Sequence, residues 1–132
     1  MIERPSQRWQ RKVAQEAAGV AAGTLPREEA YAAELWPPEF TVAVDAALVA
    51  YEREIQRLPD PADEHVWAAV RRVVLALNDA DEQAGAIETG EREELAEFID
   101  RVLTVRGVDV AGLMARSGGR HRGELTDEWR DW

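Results

Sequence analysis

The sequence predicts an all-α fold: a compact bundle of about five helices with a short C-terminal helix. Three observations carry that expectation. Apolar residues recur at the three- and four-residue spacings that one face of a helix requires. Prolines and glycines fall between these stripes, where they stop one helix and start the next. Strand patterning is nearly absent, with "VRGVDV" the one short β-branched run. A chain of 132 residues, 45% hydrophobic and 32% charged, fits a single domain over residues 1–132 and can bury a core without staples.

The elements follow in order. From Ser6 to about Ala22, Trp9, Val13, Ala17 and Val20 share a face, with Arg8, Arg11 and Lys12 elsewhere. Arg4 adds a fourth cation, so residues 1–22 form a basic helix that can lie at the periphery of the body. Gly23 ends it, and "GTLPREEAYAAELW" starts a second helix with Pro26, Glu28 and Glu29 suited to a first turn. "WPPEF" breaks the chain. Phe40, Val44, Ala47, Leu48, Tyr51, Ile55 and Leu58 form the next stripe, to about Leu58. "PDPADE" is another break, with Asp60 a candidate cap. Val66, Val70, Val73, Val74 and Leu77 make the cleanest stripe, ending near Asn78 or Asp79. A loop through Gly85 then drops Ile87 into the core, and Thr89 caps a helix carrying Leu95, Phe98, Ile99, Val102 and Leu103. The last segment, "LTDEWRDW", reads as a short helix capped by Thr126, with Trp129 and Trp132 on one face and docked on the body.

Composition excludes several kinds of chemistry. Without cysteine there are no disulfides, thiolate ligands or cysteine nucleophiles. No apolar run reaches membrane-spanning length and the N-terminus lacks an apolar signal segment, so a cytoplasmic protein without membrane contact is expected. A net charge of −10 opposes nucleic-acid binding. Lys12 is the single lysine among many arginines and alanines, a bias expected of a GC-rich bacterial genome.

The most acidic stretch, "NDADEQAGAIETGEREE" at 78–94, looks superficially like a calcium loop. From Asp79, the third position is Asp81, but Gln83 stands at the fifth, Ala84 at the glycine position and Gly90 where the bidentate glutamate belongs. Gly85 and Glu91 each come one residue late, and a slip of one destroys the ligand geometry, so no metal is expected. Catalytic patterns are also missing. His65 and His121 have no identified partner, and there is no nucleophile elbow, Walker loop or dinucleotide fingerprint. Glu93, Glu97 and Asp100 share a face, with Arg101 placed to pair with Glu97. No cofactor is expected. "RSGGRHRGE", residues 116–124, is a glycine-rich cationic connector whose Arg116, Arg120 and Arg122 could meet an anion.

"LWPPEF", "LALN", "IETGERE" and the final "EWRDW" together resemble a family of small helical bacterial domains without assigned function. The likeness spans residues 35–132. It places Ile87, Glu88, Thr89, Arg92 and Glu93 on the family's Ile-Glu-Thr-x-x-Arg-Glu element and Trp132 on its terminal aromatic. The basic N-terminal helix and the long "GVDVAGLMARSGGRHRGE" segment depart from that pattern. The resemblance implies a helical fold and no particular activity.

Elimination leaves a non-catalytic acidic protein-binding module, immunity-like, neutralising a basic protein such as a bacterial toxin. Asp79, Asp81, Glu82, Glu88, Glu91 and Glu94 are the expected partner-binding carboxylates, with Trp129 and Trp132 as anchors. Two alternatives stand beside it. One is a ligand-binding or enzymatic pocket using Glu88, Arg120, His121 or Arg122. The other is a homo-oligomer in which the basic N-terminal helix packs on another copy's acidic body.

Overall fold

The computed structural model describes residues 2–132 and contains six α-helices and no strand among them. They are α1 (Pro5–Ala22), α2 (Ala32–Leu35), α3 (Pro38–Arg57), α4 (Asp63–Ala84), α5 (Thr89–Arg106) and α6 (Val110–Arg116). Single 3-10 turns occupy Arg27–Glu29 and Arg122–Glu124. The all-α bundle that the periodicity predicts is present. No helix among the described residues is long and apolar enough to cross a membrane.

Tertiary bonds give the direction of each helix. Arg4 on α3's Asp45 and Trp9 on Phe40 set α1 antiparallel to α3. Arg72 on Glu54 sets α4 antiparallel to α3 across the short "PDPA" break. Trp36 on Glu91, Tyr51 on Ile99 and Arg106 on Leu58 run α5 parallel to α3. The expected stripes form one core: Phe40, Val44, Leu48, Tyr51 and Ile55 of α3 meet Val66, Val70, Val74 and Leu77 of α4 and Leu95, Ile99 and Leu103 of α5. The buried Tyr51 hydroxyl donates to the Ile99 carbonyl at 2.8 Å, and burial holds the phenol's pKa well above its ordinary value.

Several boundaries differ from expectation. α4 continues past Asn78 to Ala84, because Ala80, Glu82, Gln83 and Ala84 favour helix and Gly85 supplies the left-handed C-cap (φ 60°). The next helix is capped by Glu88, not Thr89: the Glu88 N–H donates to Glu91 Oε1 at 3.0 Å, and Thr89 is already helical. Ala62, not Asp60, precedes α4. "GTLPREEAYAAELW" breaks into a 3-10 turn and the single-turn α2, whose Ala32 N–H donates to the carboxylate of Glu16 on α1 (3.0 Å). Glu16 is only 8% exposed and also lies 3.5 Å from Lys12.

"LTDEWRDW" forms turns rather than a helix, being too short to offset helix nucleation. The buried Thr126 turns inward and accepts from Arg130 at 3.4 Å instead of capping. The short C-terminal helix is α6, which opens where "VRGVDV" reads as β-branched and is capped by Asp109 through the Gly112 N–H.

Candidate functional site

The residues expected to meet a partner divide into two groups. Four of the six carboxylates are committed within the chain. Asp81 accepts the Ile87 N–H at 2.8 Å and so shapes the turn between α4 and α5. Glu88 begins α5. Glu91 accepts the Glu88 N–H on one oxygen and the Trp36 indole N–H (3.3 Å) on the other. Glu94 accepts Arg8 at 2.8 Å and the Trp9 indole N–H at 3.0 Å on a single oxygen. Above these two glutamates Trp36, Trp9 and Phe40 form a continuous stack, with adjacent ring centroids 5.7 Å apart and planes within 16°. Positions 91 and 94 lie three apart on one helix face, the spacing that two stacked indoles require of their acceptors. Sequence reasoning missed this clamp because its donors come from α1 and the α2–α3 break.

Asp79 and Glu82 are different. Both are exposed on the last turns of α4, and among the described residues neither makes an ion pair or hydrogen bond. α4 has no basic residue in its last turn, so Glu82 sits against the negative end of the helix dipole uncompensated, with Asp79 about one turn further in. Asp79 lines a groove of about 530 Å³ between α3 and α4, with Ala43 and Ala76 as apolar surface over the buried Phe40 and Ala80. Glu39 on the first turn of α3 stands on its other side, and no cation lines it. Glu39 is the site residue the sequence reading passed over. Its signal is the antiparallel α3–α4 hairpin, which brings the start of one helix to the end of the other. Since residues 79–84 are helical, they do not form the wrapping loop a calcium ion needs.

The C-terminal tryptophans dock on the chain's own body. Asn78 holds the backbone there, donating to the Trp129 carbonyl (2.8 Å) and accepting the Asp131 N–H (2.9 Å). Trp129 meets Trp67 edge to face at 5.9 Å, and Trp132 is 6% exposed beneath Arg130. The "RSGGRHRGE" cations are likewise engaged. Arg116 pairs with Asp63 (2.7 Å), Arg120 with Glu128 (3.6 Å), and Arg122 with Asp100 (2.6 Å) and the Thr104 hydroxyl (2.8 Å). Arg122 therefore sits beside the later turns of α5 while Glu88 begins that helix, so the two do not share a pocket. His121 Nδ1 accepts the Gly123 N–H, and His65 is exposed, 3.8 Å from Glu64. Arg101 makes no ion pair with Glu97.

The basic helix is neutralised internally: Arg4 pairs with Asp45, Arg8 with Glu94, Arg11 with Glu3 and Lys12 with Glu16. No family model, curated protein or solved structure matches the chain. The likeness to small helical bacterial domains therefore rests on its motifs alone.

Proposed function

We propose that this chain is a non-catalytic acidic protein-binding module, an immunity-like neutraliser of a basic bacterial protein, acting in the cytoplasm. The observation that carries the reading is the placement of Asp79 and Glu82, exposed and unpaired towards the end of α4, with Asp79 lining an apolar groove rimmed by Glu39. Glu82 lies in the last turn, against the negative end of the helix dipole, and a local violation of that kind supports a functional surface. A cationic partner side chain would lay its aliphatic stem on Ala43 and Ala76 and its charge between Glu39 and Asp79. Glu91 and Glu94 serve by fixing the aromatic stack, and Trp129 and Trp132 by closing the C-terminus on α4. Self-association through the basic helix has less to draw on, since its four cations are satisfied in their own chain.

The test is a pull-down from bacterial lysate at low and high salt with wild type and Asp79→Asn/Glu82→Gln side by side. The reading expects a basic protein retained by wild type at low salt, shed at high salt, and lost by the variant at both. Equal retention by the two proteins, or none by either, would defeat it.

A further inference from the structure

A second groove, of about 760 Å³, lies between α3 and α5 towards their C-terminal ends, with Ile2 on one side. Its volume is within the roughly 300–1,000 Å³ of small-molecule sites. Ile55 and Val102 lie beneath it and are buried, so its accessible apolar surface comes from the half-buried Ile2 and from Val105, which at 71% exposed is the most open large hydrophobic residue among those described. Its charge opposes that of the chain as a whole. Arg8 and Glu3 also line it but are satisfied by Glu94 and Arg11. Arg106 is fixed by donating to the Leu58 carbonyl at the end of α3 and has no carboxylate partner. Arg101 has neither an ion pair nor a hydrogen bond among the described residues. One unpaired carboxylate, Glu52, faces these two guanidinium groups. The groove thus carries two uncompensated positive charges against one negative in a chain of net charge −10.

We propose that this groove binds an amphiphilic monocarboxylate, its apolar tail against Ile2 and Val105 and its carboxylate on the Arg101 fork, with Arg106 adding positive potential. The free fork of Arg101 presents parallel N–H donors that match a planar carboxylate. A single added negative charge balances the groove, because the two guanidinium groups are already opposed by Glu52. The site is independent of the acidic groove at the other end of the bundle.

Sodium decanoate, below its micelle-forming concentration, is the probe. It is titrated into the full chain and followed by amide chemical-shift changes and calorimetry. Saturable shifts are expected at Glu52, Arg101, Val105 and Arg106. Arg101→Gln should weaken decanoate by about tenfold. Glu52→Gln should tighten it, because a repelling charge is removed. Asp79→Asn/Glu82→Gln should leave it unchanged, so the outcome is separate from that of the protein-binding reading. Decanol, which lacks the charge, should bind more weakly. Unchanged far-UV dichroism will show that Arg101→Gln and Glu52→Gln both fold. The proposal is overturned by an absence of saturable shifts, by decanol binding as well as decanoate, by Arg101→Gln binding like wild type, or by Glu52→Gln weakening the complex.

Discussion

A single oxygen of Glu94 receives both Arg8 and the indole of the buried Trp9, so the junction between α1 and α5 depends on one carboxylate. Glu94→Ala leaves that indole N–H without an acceptor and should cost about 1–3 kcal/mol, visible as a lower urea midpoint rather than as weaker partner association. Asp45 makes the corresponding junction to α3. Burial pushes its carboxyl up, but hydrogen bonds from Arg4 and Ser6 outweigh burial and leave it below its ordinary value. The folded carboxyl therefore takes up a proton less readily than the unfolded chain does. Its stabilisation is complete above the ordinary aspartate value of about 3.9 and is lost as pH falls through the lowered folded value. Asp45→Asn should be less stable than wild type near neutral pH, and the gap should narrow as pH falls below the ordinary aspartate value of about 3.9, as urea melts across that range will show.

Each helix end is a small energetic decision, and here the sequence is partly legible. The apolar stripes of α3, α4 and α5 could be read directly, since burying one face dictates a 3.6-residue period whatever the partner. The end of α4 could not, because apolar periodicity stops at Leu77 while Ala80, Glu82, Gln83 and Ala84 extend the helix by propensity alone. The roles of Glu91 and Glu94 were hidden for another reason: their indole donors are distant in sequence, and nothing in the local pattern of α5 announces them. Asp79 and Glu82 were legible as acidic, but their isolation became visible only once α4 was seen to continue past them. Neutralising Glu82 relieves the conflict with the helix dipole, so Glu82→Gln should raise stability by about 0.3–1 kcal/mol in thermal melts, while Asp79→Asn/Glu82→Gln abolishes partner binding. At the end of α5, Gly107 adopts φ 95° and its N–H donates to Thr104, while Val108 reaches back to Leu103. Gly107→Ala forces a Cβ into that left-handed position and should cost about 1–2 kcal/mol by urea denaturation.

Over the whole molecule, charge is segregated by length scale. Among the described residues, nine of the sixteen Lys and Arg side chains hold carboxylates of their own chain, including Arg4 at the start of α1 and the three cations within it. At the α3–α4 groove, carboxylates without such a partner lie against apolar side chains. The α3–α5 groove at the other end has the reverse polarity, giving the bundle two chemically distinct ends. The pairing of α1 also has a consequence for biosynthesis. Arg8 and Glu94 are 86 residues apart, so α1 leaves the ribosome on the order of 4–17 s before its acceptor on α5 at bacterial elongation speeds. α3, which carries Asp45 only 41 residues after Arg4, emerges first, so α1 can meet α3 early while the Glu94 clamp on Arg8 and Trp9 closes only once α5 has been made.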